Sequence, residues 1–393
     1  MTRQIKWTEM KIVHICLCGA TTDGFSYQEN LLAKYHKKME HDVTIVASQW
    51  ITDSSGHLVK TDKNNYFNRD GVRLIRIPTF WGNVDTRLKI YPDIIKVIND
   101  LQPDILFIHA CQFLDICRLA KYVKAHPNIR VYVDNHADYS NSAQGWISEH
   151  ILHRIIWKYC AHRIEPYTSV FWGVMPARVD FLINLYDLPK DKCKLLVMGA
   201  DDELAEKAND IFVKKTIRKK YHVNESDFLI VSGGKIDPWK TQTILLMEAV
   251  KEFNREDVKL IVFGSVVDEL KEKVQSRADG EKIQYIGWQN AEDSYRLFAT
   301  ANLAVFPGRH SVYWEQVAGQ GIPMVVKDWE GTHHVDLGGN VIFLYDDSKS
   351  EIYTVLKRLL YDQNLYDSMK KIAETEGPQI FSYGRIARRS IEE

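Results

Sequence analysis

Short apolar runs alternate along the chain with amphipathic stretches of helical period, and polar, glycine-bearing segments separate them. Runs at 12–17, 43–47, 72–77, 105–109 and 131–134 predict buried strands, with helices between them. The first helix opens at a capping box, Ser26 with Glu29, ahead of Leu31, Leu32, Tyr35 and Met39. Further helices are predicted at 94–101 and 114–124, and the polar excursion at 52–69 reads as a surface hairpin or loop. This alternation implies a parallel sheet with helices on both faces, which binds ligands beyond the C-terminal strand ends.

Strands at 168–174 and 194–197 follow, and then the pattern starts again. Runs at 228–232, 258–263, 283–286, 303–306, 324–326 and 341–344 predict a second sheet, closed by helices at 352–361, 365–376 and 382–391. At 393 residues, two domains are the default. The fold class is α/β, with two doubly wound Rossmann-like domains. They are placed at 10–190 and 191–377, after a polar, frayed leader at 1–9. The final helix, 378–393, is expected to pack back on the first domain.

The stretch 146–162 carries Ile147, Ile151, Ile155, Ile156 and Tyr159 on one side. His150, His153, Arg154, Lys158, His162 and Arg163 interleave with two tryptophans. The pattern favours a packed helix with a solvated face. The second reading is a helix lying on anionic lipid.

The stretch Gly233-Gly234-Lys235-Ile236-Asp237-Pro238-Trp239-Lys240 stands between a strand and a helix. Asp237 and Pro238 suit a helix opening, with a side-chain acceptor at the cap and a proline where no donor is needed. A glycine turn before a helix N-terminus is an anion site. Lys240, placed in the first helical turn, opposes the helix dipole, and a bound anion offsets that conflict. Two ordinary surface lysines are the plainer alternative.

Composition narrows the classes. With 45% apolar and 26% charged residues the chain is of soluble globular type, and no apolar run reaches the length of a membrane span. A net charge of -1 argues against nucleic acid as a partner. The six cysteines are scattered without zinc spacing and read as buried small apolar residues, so a reducing cytoplasm is the expected compartment.

Polar groups gather at the predicted strand ends. The loop 19–24, with Gly19, Thr22 and Asp23, follows the first strand; it is not a dinucleotide fingerprint. His109 ends one strand, and His136 and Asp138 lie just past the next. Gly264, Trp288, Arg309, His310 and Ser311 follow strands of the second half. Glu315 and Gln316 come next, and Glu330, Thr332 and His333 follow a later strand.

In order and spacing these features resemble the family 4 glycosyltransferases (glycosyl transferases group 1), whose GT-B fold sets two doubly wound domains facing across a cleft. Five matches carry the likeness. They are the first strand with its glycine loop and His41-Asp42-Val43-Thr44-Ile45-Val46; Asn135-His136; Met198-Gly199-Ala200-Asp201; Gly234-Lys235 with Lys240; and Glu315-Gln316 running to Gly321-Ile322-Pro323. One departure stands out: the loop after Pro307 is shortened and the first glutamate of the family's E-x7-E pair is missing. Gln316 aligns without a gap to the second glutamate, and Glu315 with one inserted residue. Charge-assisted bonding to ribose hydroxyls favours Glu315.

The resemblance implies a nucleotide-sugar donor in the second half, an acceptor in the first, and transfer with retention. Lys235 and Lys240 would hold the donor diphosphate, and His136 would meet the transferred sugar. Glu330, Thr332 and His333 would face the donor sugar, with Gly19, Gly234, Gly264, Trp288, Arg309, His310 and Ser311 around the donor. Thr22, Asp23, His109 and Asp138 fall on the acceptor side. No cofactor and no metal are expected, since no Asp-x-Asp triplet occurs. A UDP-sugar is preferred over a GDP-sugar. The expected acceptor is a surface polysaccharide or lipid-linked glycan, and the expected location is the cytoplasm, including peripheral contact at the inner face of the plasma membrane. The rivals are a non-catalytic nucleotide-sugar-binding or scaffolding protein and, with less support, a nucleotide-sugar epimerase.

Overall fold

Residues 9–53, 57–80 and 89–392 are described by the computed structural model. The expected leader, 1–9, lies outside them apart from Glu9. The chain falls into two units, Met1–Val197 with Ile386–Glu393, and Met198–Arg385.

The first unit holds strands β1 (Lys11–Cys16), β2 (Asp42–Ser48), β3 (Trp50–Thr52), β4 (Leu58–Lys60), β5 (Asn65–Phe67), β6 (Arg73–Ile77), β7 (Ile105–His109), β8 (Arg130–Asn135), β9 (Thr168–Gly173) and β10 (Cys193–Leu195). Eight of them form one sheet in the order β10-β9-β8-β7-β1-β2-β6-β5. All its pairings are parallel except β5 with β6. The excursion at 52–69 contains the expected hairpin, β3 with β4. Helices α1 (Gln28–Lys38), α2 (Ile94–Leu101), α3 (Ile116–Ala125), a π-helix (Ser148–Trp157), α4 (Lys158–Ile164) and α5 (Pro176–Asn184) connect or cover the strands. The core runs through Ile15, Val46, Leu106, Ile108, Val133 and Phe171, all buried. Residues that are apolar on both faces of a strand make sense only where helices cover both faces.

The second unit begins with α6 (Asp202–Asn209) and α7 (Ile211–Lys220). Its sheet is parallel throughout, in the order β13-β12-β11-β14-β15-β16. These strands are β11 (Phe228–Gly233), β12 (Val258–Phe263), β13 (Ile283–Tyr285), β14 (Leu303–Phe306), β15 (Met324–Lys327) and β16 (Val341–Leu344). Helices α8 (Gln242–Lys251), α9 (Asp268–Gln275), α10 (Ala291–Thr300), α11 (Tyr313–Gly319), α12 (Lys349–Tyr361) and α13 (Gln363–Ile380) complete it, and α14 (Tyr383–Glu392) returns to the first unit. Its own core includes Ile230, Leu246, Val262, Val305 and Leu356.

Each sheet reverses its winding once, between β1 and β7 in the first unit and between β11 and β14 in the second. Ligands of doubly wound sheets bind at such switch points.

Several sequence expectations are corrected. The boundary at 190 moves to Val197 because β10 pairs with β9 and so completes the first sheet. The boundary at 377 moves to Arg385 because α13 runs on through Pro378. Gly377 lets that helix lie against α11; a Cβ there would stand 2.0 Å from the Ala318 carbonyl. Ser26 does not cap α1. The cap position is Tyr27, without a side-chain bond, and Asn30 braces the turn instead by donating to the carbonyls of Thr22 and Phe25. The stretch 146–162 is largely π-helical, which winds fewer degrees per residue than an α-helix. Most of the face expected to pack is turned outward: Ile147 (64% exposed), Ile155 (62%) and Tyr159 are open, as is Trp146 (67%), while Ile156 packs on the core beside His153, Trp157 and Cys160.

Candidate functional site

In the second unit the loops beyond β11, β12 and β13 are drawn into mutual contact. Gly234 has φ +131° and Gly264 φ +132°, and a Cβ on Gly264 would meet the Gly234 carbonyl at 1.9 Å. Only glycine meets both demands. Gly234 N donates to Phe263 O, Ile236 N to Ser265 O and Gly264 N to Gly287 O. The loop after β14 approaches equally closely, since a Cβ on Gly308 would lie 3.3 Å from Lys240 Cα.

The crevice between these loops is lined by Ser232, Gly234, Lys235, Lys240, Arg309 and Ser311, among others. Asp237 does not cap α8. Its carboxylate accepts from Trp239 N (3.0 Å) and its carbonyl from Lys240 N (2.8 Å), so Lys240 sits in a turn ahead of the helix rather than inside it. Burial lowers the Lys240 pKa; Asp237 opposes this, and Arg309 and Lys235 add to it. Among the described residues none of these three cations forms an ion pair. Arg309 is held by stacking instead, its guanidinium 5.3 Å from the Trp239 ring and 5.0 Å from the Trp329 ring. Lys235, Lys240 and Arg309 thus carry three positive charges around one crevice, with Asp237 the negative group acting on Lys240.

Glu315 does not open onto this crevice. Its side chain has 0% exposure, and one oxygen accepts from both His310 Nε2 (2.8 Å) and His334 Nε2 (3.0 Å). Burial alone would raise its pKa, but the two imidazoles reverse that and hold it well below the usual carboxylate range. The carboxylate braces two histidines through this oxygen, while its Oε2 is buried without a hydrogen-bond partner. Gln316 is also buried, donating to Ser294 Oγ and Gln320 Oε1.

Of the other donor-side residues, Trp288 and Glu330 are exposed beyond their strands. Thr332 is corrected, because it is fully buried and donates to Trp329 O within its own loop. His333 turns to Asp328 and the Phe343 ring, and its neighbour His334 joins Glu315. His334 was missed because two adjacent histidines offer no sequence signal for which one points inward.

In the first unit, Gly19 and His109 follow or end the switch-point strands. Asp23, whose side chain is 30% exposed, already has protein partners. It pairs with the buried Arg76 guanidinium at 2.8 Å and accepts from Tyr66 Oη. Thr22 Oγ1 accepts from Thr52 N. Asp138 likewise braces its own loop, accepting from Ser140, Asn141 and Arg178. Asp134, absent from the expected site list, is the centre here. Its Oδ2 accepts from His109 Nδ1 (2.7 Å) and His136 Nε2 (3.3 Å), and its Oδ1 from Ala110 N. Burial pushes its pKa up, and the two histidines bring it well below the normal range. Burial lowers the His136 pKa and Asp134 raises it by more, for a net rise. His136 alone of the trio opens to solvent, its side chain 36% exposed. The three donor atoms lie within 4.8 Å of one another, and these hydrogen bonds already join them.

Comparison with known proteins fits this geometry. Residues 213–376, most of the second unit, match the family model described as Glycosyl transferases group 1. An uncharacterized glycosyltransferase of Methanocaldococcus jannaschii is 22% identical over 219 residues, 53% of this chain and 55% of its own. Mannosylfructose-phosphate synthase of Agrobacterium fabrum is 19% identical over 233 residues, covering 55% and 50%. The chain thus spans about half the length of these curated relatives. The crystal structure of Anabaena HepE in complex with UDP superposes with a TM-score of 0.67 at 15% identity, covering 97% of this chain and 98% of that one. The fold is GT-B.

Proposed function

We propose that this protein is a retaining glycosyltransferase that moves a sugar from a nucleotide-sugar donor to a hydroxyl of a glycan or lipid-linked glycan, without a metal. The observation that carries this is the cluster of Lys235, Lys240 and Arg309 at the switch point, where among the described residues none of the three forms an ion pair and positive charge exceeds the single nearby carboxylate, Asp237. In the reaction the bond between the anomeric carbon and the diphosphate oxygen breaks, and the departing nucleoside diphosphate gains negative charge. Preorganised cations and backbone donors in a partly desolvated crevice stabilise that charge most where it develops. His136, open to solvent and anchored by Asp134, meets the transferred sugar. UDP is the preferred nucleotide; HepE was crystallised with UDP on the same fold.

The outward apolar stripe of Trp146, Ile147, Ile155 and Tyr159 supports peripheral docking on a membrane; the flanking Arg154 and Lys158 are paired with Glu149 and Asp187. A lipid-linked acceptor and a location at the inner face of the plasma membrane agree with such a surface. Double substitution of Ile151 and Ile155 by Asp should abolish sedimentation with phosphatidylglycerol vesicles.

The second reading, a nucleotide-sugar-binding scaffold, is favoured by the burial of Glu315, which leaves no family carboxylate facing the crevice. The deciding experiment incubates the protein with UDP- and GDP-sugars and follows both thermal stability and nucleotide release. A ligand at a hundred times its dissociation constant adds about 2.7 kcal/mol. Stabilisation with turnover supports the transferase, stabilisation without turnover under any acceptor supports the scaffold, and neither effect sinks both.

A further inference from the structure

A line of buried imidazoles runs inward from Asp134. His109 Nε2 lies 2.9 Å from His14 Nδ1, and His14 Nε2 lies 3.0 Å from His36 Nδ1. His36 Nε2 ends the line, 2.9 Å from the carbonyl of Ala387 and 3.1 Å from Ser390 Oγ, on the returning helix α14. All three rings are buried.

The hydrogen bonds fix the protons. A carbonyl only accepts, so His36 Nε2 carries a proton, and Ser390, whose hydroxyl donates to the same carbonyl, accepts as well. Each imidazole–imidazole contact needs one proton, and the contact between His109 Nδ1 and Asp134 needs another. That makes four protons, while three neutral imidazoles bring only three. The fourth sits on Asp134 or on a ring; Asp134 faces three donors, Ala110 N, His109 Nδ1 and His136 Nε2, which favours the ionised carboxylate, so the fourth proton makes the ring beside it a cation.

We infer that His109 is a buried imidazolium, held in that state by the Ala387 carbonyl acting through His36 and His14, and that it is a positioning residue for His136. The cation and Asp134 form a neutral pair, which makes their burial tolerable. Asp134, kept ionised, then takes the Nε2 proton of His136 and leaves that ring's Nδ1 directed away from the carboxylate. His14 and His36 stay neutral. Burial pulls both pKa values down, that of His36 to about 3. The charged groups acting on His136 from other elements are Glu29 on α1, which raises its pKa, and Arg178 on α5, which lowers it.

The test is a long-range 1H–15N spectrum of the full chain labelled at histidine nitrogen, from about pH 5.5 to about 8.5, the range over which free imidazole titrates. The expected result is His109 protonated at both nitrogens throughout, with His14 and His36 protonated at Nε2 only. A bare Nε2 at His36, or either nitrogen of His109 bare, overturns the inference. A second measurement uses His14→Phe, which removes the acceptor for the His109 Nε2 proton. With the cation lost, Asp134 acts uncompensated on His136, and the acidic limb of the transfer rate moves up by about one pH unit. A merely structural role would reduce the amount of folded protein and leave the limb in place. This second arm rests on the proposed transfer reaction, whereas the spectrum does not. The expected spectrum without transfer to any acceptor refutes only the reaction, and the contrary spectrum with intact transfer refutes only this inference. If His14→Phe does not fold, the wild-type spectrum decides.

Discussion

The two switch points are built from opposite electrostatics. In the first unit Asp134 is paired with His109 and His136, Asp23 with Arg76, and Asp138 with Arg178. In the second unit Lys235, Lys240 and Arg309 converge, and among the described residues no carboxylate pairs with them. One set of charges is complete within the fold. The other keeps an excess of positive charge, which the proposed donor diphosphate would balance. The second unit closes one charge system, Glu315 with His310 and His334, and leaves the three cations beside it unpaired among the described residues, so removing a charge from those cations should have the opposite consequence to removing one from the first unit.

The largest effect is expected at Asp134. Asp134→Ala leaves the His109 side unpaired in a buried setting, where breaking a pair costs about 3–5 kcal/mol. Urea unfolding should show this loss. A loss below about 1 kcal/mol would mean the trio is not a closed charge system, and the contrast between units would collapse.

Acid should act on the same region. His14 and His36 have folded-state pKa values below their unfolded values, that of His36 about 3. Below the ordinary imidazole pKa near 6.5 the unfolded chain takes up protons that these two folded rings refuse, so their contribution to stability is full above that pH. It should fall progressively as pH drops from about 6.5 toward 3, by up to about 1.4 kcal/mol per unit for each ring. A flat stability profile across that window would show these rings to be solvated.

In the second unit the expected loss is functional. Lys240→Ala should cost at least about a hundredfold in transfer rate, close to 2.7 kcal/mol, as for one preorganised charge-stabilising donor. Stability should hold or rise slightly, because the lysine is partly buried among like charges. A rate loss under about threefold would place the diphosphate elsewhere.

This contrast also marks what the sequence could disclose. The lysine loop was legible because its chemistry is local: a strand, two glycines, and cations before a helix. The parallel sheets followed from alternation, whereas the strand order did not; the helix at 146–162 was found, but most of its expected packing face lies outward and its π-helical winding is not anticipated by a 3.6-residue period. The closed charges were invisible for a physical reason. Asp134 meets His109 across two strands, Asp23 meets Arg76 from 53 positions away, and Glu315 collects His334 from a later loop. A carboxylate's partner decides whether it faces a ligand or a neighbour, and only the fold supplies the partner.

The smallest effect sharpens the same point. Arg309 has no carboxylate to fix it and lies between two indoles, those of Trp239 and Trp329. A planar guanidinium can stack on both rings while its edge donates to phosphate oxygens, whereas an ammonium cannot do both. Arg309→Lys keeps the charge and loses the stacking, which is worth about 0.5–1 kcal/mol per exposed ring. UDP affinity, read by calorimetry, should then weaken by about fivefold, with the enthalpy of binding reduced and the fold unchanged. If Arg309→Lys binds UDP as tightly as the parent while Arg309→Ala does not, charge alone suffices and the indoles serve another purpose. If neither substitution matters, the third cation belongs to no ligand, and the site reduces to the two lysines already apparent from sequence.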